Sequence, residues 1–219
     1  MANPTQRSIV NAALHEHPHT FADELGGGGI KNTPSSLYRL LCFAHLASTR
    51  IRHDIAVAAA RALFRNGWTT PRRMLDTDWG SRVKVLNHAG YARYDESTAE
   101  RLAYNAELLI KEYRGDLRRL RDAADGDPAD MRRRLKAFKG IGDVGVDIFF
   151  RDAQAVWDEL YPFADRVALR AADHLGLPDS AKALAGLVED DPLRFAHLLA
   201  TLVRIELDKE HEHIRAAAA

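Results

Sequence analysis

The chain has 219 residues, 46% hydrophobic and 28% charged, which is enough for one or two compact domains with a buried core. Lys and Arg total 31, as do Asp and Glu, so the formal net charge is zero; a uniformly basic nucleic-acid coat and a disordered acidic tail are both excluded. The single cysteine, Cys42, excludes an internal disulfide framework and any cysteine-rich zinc or iron–sulfur site. No apolar run approaches a membrane span, and the first ten residues, MANPTQRSIV, lack the apolar stretch of a secretion signal, so a cytoplasmic protein is expected.

Ala, Leu and Arg dominate and alternating β-branched runs are absent, so the chain is expected to be all-α. Residues 3–17 read as a helix broken at Pro18, and His15, His17 and His19 read as its solvated end. Residues 26–29 are four glycines, a flexible loop. Pro34, Ser35 and Ser36 open an apolar helix with Leu37, Leu40, Leu41 and Ala44 on one face. Ser97 and Glu100 have the spacing of a capping box before a long helix ending near Tyr113. Gly126-Asp127-Pro128 predicts a turn, followed by a helix to about Ala137 and another over 143–158. After a connector at 161–164, Asp165 opens a helix to His174 that Gly176 and Pro178 stop, and two more helices fill the C-terminal part. His211 and His213, two apart, point to different sides of a helix and read as surface residues; no metal site is expected.

The neutral total hides an asymmetry. Residues 1–140 hold 23 basic and 16 acidic side chains, +7, and residues 141–219 hold 8 and 15, −7. The positive part ends in Arg132, Arg133, Arg134, Lys136 and Lys139, which reads either as a solvated helix face or as a phosphate-binding patch. Immediately after it stands Gly140-Ile141-Gly142-Asp143-Val144-Gly145-Val146, a glycine turn between two helices. Such a turn frees backbone N–H groups, and the next helix start adds unpaired amides and a positive dipole end, which together suit a phosphate oxygen. Ile141 is expected to plug the gap between the helices, and Lys136 and Lys139 to add charge. The same glycines also fit a plain tight turn.

About 20 residues on stands Phe163-Ala164-Asp165-Arg166-Val167-Ala168-Leu169-Arg170. Asp165 is well placed as a helix N-cap, and a carboxylate at a helix start can also project into a cleft.

G-I-G-D-V-G-V followed by F-A-D-R-V-A-L-R resembles the helix–hairpin–helix DNA glycosylase superfamily of the endonuclease III type, the HhH-GPD fold. Residues 40–48 resemble its first barrel helix and following loop, and Gly90-Tyr91 before Glu100-Arg101-Leu102 resembles the turn entering a long helix; the similarity covers about residues 36–178. The resemblance implies a two-lobed all-α fold: a six-helix barrel over 36–158, and a second helical domain from 1–35 and 159–219 carrying the aspartate segment. It implies base excision repair of duplex DNA: hydrolysis of the N-glycosidic bond of a damaged or mismatched, flipped-out base by a monomeric enzyme associated with the nucleoid if bacterial. Asp165 would be the catalytic carboxylate, and Gly140, Ile141, Gly142, Val144, Gly145, Lys136 and Lys139 would hold DNA phosphate. His45, Arg93, Tyr94, Asp147, Tyr161 and Phe163 are candidates for the base pocket or DNA gap, each with a structural alternative: core packing, a turn or a salt bridge. Many relatives hold an iron–sulfur cluster with four cysteines after the aspartate helix; this chain has none there, so no such cluster is expected, while a structural monovalent cation at the hairpin stays compatible. Bifunctional relatives carry a lysine two residues after the second turn glycine; here that position is Val144, so an enzyme without AP-lyase activity is expected. The rival reading is a noncatalytic structural DNA-binding protein that keeps only the hairpin.

Overall fold

The computed structural model describes residues 4–219, and every regular element in it is helical. Four starts are written as a cap followed by proline. Thr33, Thr70, Asp127 and Asp191 each accept a backbone N–H from the first turn, and the adjoining proline sits where no intrahelical donor is needed. These open α3 (Pro34–Ala47), α5 (Pro71–Leu75), α9 (Pro128–Leu135) and α13 (Pro192–Asp208). The others are α1 (Pro4–Glu16), α2 (Phe21–Glu24), α4 (His53–Arg65), α6 (Trp79–His88), α7 (Asp95–Tyr113), α8 (Leu117–Ala123), α10 (Asp143–Ala153), α11 (Arg166–His174), α12 (Ala181–Ala185) and α14 (His211–Ala217).

Several elements differ from expectation. Position 3 of the first predicted helix lies outside the described residues. Ser97 is not an N-cap: α7 begins two residues earlier, and the Ser97 hydroxyl donates back to Tyr94 O at 3.2 Å. The helix after the glycine turn stops at Ala153, because the next residues fold into a turn and a short 3-10 segment at Asp158–Leu160. The C-terminal part holds α12, α13 and α14 rather than two helices.

The chain divides into two compact units, residues 22–149 and residues 1–21 with 150–219. These bounds differ from the expected 36 and 158. Residues 22–35 belong with α3 and α4, because Arg39 donates to Gly26 O at 2.7 Å, Arg61 donates to Glu24 O, and Ser36 Oγ accepts the Lys31 N–H at 2.9 Å. Residues 150–158 belong with the C-terminal helices, because Arg151 and Gln154 bond to Asp165 and Phe163.

In the 22–149 unit, α3 is buried on nearly every side from Ser36 to Leu46, as befits a central helix that is largely apolar all round. Leu63 of α4, Leu86 of α6, Leu102 and Leu109 of α7 and Leu120 of α8 are also fully or almost fully buried. Truncating one such leucine to alanine costs about 2–5 kcal/mol. In the other unit, α13 runs through the middle with Phe195, Leu198, Leu199, Leu202 and Ile205 buried. Against it packs α11, whose inner face is Ala168, Ala171 and Ala172. Spaced three and one apart, these small side chains let the two helices approach closely.

Candidate functional site

The hairpin lies in the 22–149 unit. Asp127 accepts N–H bonds from Ala129 and Asp130 and fixes the start of α9. Beyond its end, Phe138 and Ile141 are 1% and 4% exposed; Phe138 stacks on Tyr113 of α7 and Ile141 lies against Gly145 of α10. Gly140 adopts φ +82°, and a methyl group there would lie 2.3 Å from His45 Cε1. Glycine is therefore required twice, by conformation and by space. Neighbouring elements hold the backbone of the turn. The Asn105 amide accepts the Lys139 N–H at 2.7 Å and donates to Lys139 O at 3.0 Å, and Ser48 Oγ donates to Gly140 O at 3.2 Å.

The Val146 N–H closes the start of α10 on Gly142 O at 3.0 Å, so the amides of residues 143–145 come before the hydrogen-bonded ladder. Gly142, Asp143 and Val144 are exposed, Val144 by 60%, and they present this helix start to solvent. Gly145 is buried: a Cβ there would meet Ile141 at 3.3 Å, so its place is under the turn, where it lets α10 sit close.

The basic cluster largely neutralises itself. Arg133 and Arg134 both pair with Asp130, Arg132 pairs with Asp147 at 2.6 Å, and Lys136 lies 3.0 Å from Asp143. The Lys136 ammonium beside Asp143, with Arg132 nearby, holds that exposed carboxyl below its usual range. Lys139 projects from the turn with its ammonium 3.7 Å from the centre of the Tyr104 ring. The Lys136–Asp143 pair, exposed on both sides, is worth about 0–1 kcal/mol and is easily displaced.

His45 is 1% exposed beneath the turn, and burial, with the Arg101 charge added, lowers its imidazole pKa from 6.5 to about 4. It is a support of the hairpin. Asp147 is taken up by its pairing with Arg132. Arg93 is exposed, with its guanidinium 5.3 Å from the Tyr94 ring.

Asp165 lies in the other unit, 5% exposed, as the N-cap of α11. Its Oδ1 accepts N–H bonds from Val167 at 2.8 Å and Ala168 at 3.1 Å. Its Oδ2 accepts Arg151 Nε at 2.7 Å and lies 2.5 Å from Arg151 Nη2. Both oxygens are engaged, and Arg151 is itself 4% exposed. Gln154, fully buried, clamps the Phe163 backbone in both directions at 3.0 Å. Tyr161 packs edge-on against Phe195 and Phe163 edge-on against Phe150, with ring centres 5.6 and 5.5 Å apart. Trp157 is fully buried core. Sequence reasoning missed Arg151, Asp152 and Gln154, although a signal existed: three polar residues interrupt the apolar run Ile148-Phe149-Phe150 through Trp157, and all three are buried. Polar groups inside an apolar stretch stay buried only where partners await them.

Comparison of the sequence with protein-family models and with curated proteins gives no match. Among solved structures, the chain is similar to an endonuclease III trapped as a covalent intermediate with DNA, in an estranged-adenine complex. The TM-score is 0.51 and the identity 16%, over 94% of this chain and 86% of that chain. The likeness shows the fold: this chain has the all-α architecture of an endonuclease III.

Proposed function

We propose that this protein is a monomeric DNA glycosylase that hydrolyses the N-glycosidic bond of a damaged or mismatched base flipped out of duplex DNA, leaving an abasic site uncut. The observation that carries this reading is the hairpin: exposed α10 amides beside a rigidly supported glycine turn, on the fold of an enzyme seen in complex with DNA. The monofunctional part rests on Val144, which has no amine to form a Schiff base, and on its neighbours: Lys136 is turned to Asp143 and Lys139 to Tyr104. A protein acting on the chromosome would work in the cytoplasm or nucleoid; no helix among the described residues is long and apolar enough to cross a membrane.

The iron–sulfur cluster of relatives does not fit this chain. Its one cysteine, Cys42, is buried in α3, and no cysteine follows the aspartate helix to ligate iron.

Asp165 is the proposed catalytic carboxylate. As the base departs, a carboxylate stabilises the oxocarbenium-like sugar and accepts a proton from the attacking water. Here both oxygens are occupied, so this role requires Arg151 to yield Oδ2 when the nucleotide enters. That engagement favours the second reading, a noncatalytic hairpin protein in which Asp165 only caps and pairs. A panel of duplexes with defined lesions, assayed with and without alkali, separates the two. Strand cleavage only after alkali, lost in Asp165→Asn with duplex binding retained, is the expected result. Binding with no base release on any lesion supports the noncatalytic reading, and cleavage without alkali contradicts the reading of Val144.

A further inference from the structure

The unit of residues 1–21 and 150–219 carries a cluster of metal-ligating side chains unused by the proposed glycosylase chemistry. His174 is the last residue of α11, Glu206 lies in the last turn of α13, and His211 is the first residue of α14. His174 Nδ1 lies 3.1 Å and His211 Nε2 2.9 Å from the same atom, Glu206 Oε2, and the three ligand atoms fall within 4.8 Å of one another. The two imidazoles meet edge to face with centres 4.9 Å apart. The sequence pairs His211 with His213, two residues on; the fold instead sends His213 toward Glu16 at 3.4 Å and brings His211 to residues on two other helices.

We propose that His174 Nδ1, Glu206 Oε2 and His211 Nε2 form a binding site for Zn²⁺. With bonds of about 2.0–2.1 Å, neighbouring ligand atoms in a tetrahedral site lie roughly 3.4 Å apart, so small adjustments of these side chains bring their atoms into place around one ion. Two imidazoles with one carboxylate suit zinc and discriminate against Ca²⁺ and Mg²⁺, which prefer all-oxygen sets. Arg170 Nε, 2.5 Å from Glu206 Oε1, occupies the other carboxylate oxygen and aims Oε2 at the two rings, as an outer partner orients a metal ligand. Glu206 is only 9% exposed, while His174 is 49% exposed, so the fourth position opens to water. The ion would fasten α14 to the far end of the helix that Asp165 caps, a cross-link that stabilises the chain because the ion binds the folded form and not the unfolded one.

The test uses the full chain, treated with EDTA and titrated first with Co²⁺ and then with Zn²⁺. The expected result is one equivalent of Co²⁺ with the intense visible absorption of a tetrahedral site, displaced by Zn²⁺. Zn²⁺ at about a hundredfold excess over Kd should raise Tm by roughly 5 °C or more. Zn²⁺ affinity should fall at least about tenfold in His211→Ala and in Glu206→Gln, and the Co²⁺ spectrum should vanish in the His174→Ala/His211→Ala pair. His213→Ala and His17→Ala are the controls and should bind as the parent does. No saturable binding by the parent chain would overturn the proposal. So would binding that survives the double substitution, or that is lost in the controls.

Discussion

Two buried side chains explain most of what single residues do here. His45 stays neutral beneath the hairpin because protonation would bury a charge beside Arg101. Its pKa is about 4 when folded and 6.5 when unfolded, so between these pH values the unfolded chain takes up a proton that the folded chain refuses. The contribution of His45 is therefore complete above pH 6.5, and stability falls as pH drops toward 4, by about 3 kcal/mol over the window. Denaturant unfolding of the parent and of His45→Gln should show the parent losing that much more stability across the range; parallel pH profiles would refute the assignment. Asp165 poses the opposite case, a carboxylate that answers a buried Arg151. Asp165→Ala leaves that guanidinium unpaired and should cost about 3–5 kcal/mol. Adding Arg151→Met should recover most of the loss, since the double variant no longer buries a lone charge. A double-mutant cycle by chemical denaturation reads the coupling directly, and additive losses would mean the pair is not coupled.

At the scale of the element, the hairpin is a rigid turn with self-neutralised charge. Asn105 from α7 and Ser48 at the α3 end bond to its backbone, and His45 packs beneath Gly140. Its cations are mostly paired with Asp130, Asp143 and Asp147. This sets an order of effects on duplex binding that differs from a count of lysines. Lys139→Ala should weaken binding to any sequence and lower the slope of log K against log salt by about 0.9. Asp143→Asn should instead tighten binding, because it releases Lys136 and removes a negative charge from the α10 start. Fluorescence anisotropy over a salt series distinguishes these cases; tighter binding in neither salt regime for Asp143→Asn would show that its carboxylate does not compete with phosphate. The Thr-Pro and Asp-Pro starts are legible in sequence, since cap chemistry is local. The Ser97-Glu100 box misleads because α7 begins at Asp95 without a side-chain cap from Tyr94, and Asp95 and Thr98 of its first turn are buried, which a local pattern does not reveal.

For the whole molecule, zero net charge combines a basic part ending at the hairpin with an acidic remainder. For the proposed DNA glycosylase, long-range attraction to DNA is then weak, and affinity should come from a few phosphates held at the turn. Binding is expected to be moderate and strongly salt-sensitive, with lesion discrimination coming from contacts to the flipped base rather than from charge. Across the lesion panel, one class of damaged base should be released well above the others while affinity for undamaged duplex stays similar. Equal release from all lesions would mean that contacts to the flipped base do not discriminate.

All-helical architecture, the glycine hairpin with its buried isoleucine, the capping role of Asp165 and the lack of cysteine ligands after it were determined by the sequence alone. Each depends on local propensity, on spacing within a few residues or on composition. Only the tertiary structure decided that Arg132 and Lys136 reach across the turn to Asp147 and Asp143, that His45 lies under Gly140, and that Arg151 closes on Asp165. It alone brought His174, Glu206 and His211 to one point. Those contacts join residues distant in the chain, and their geometry is set by which helix faces pack together, which no local pattern encodes.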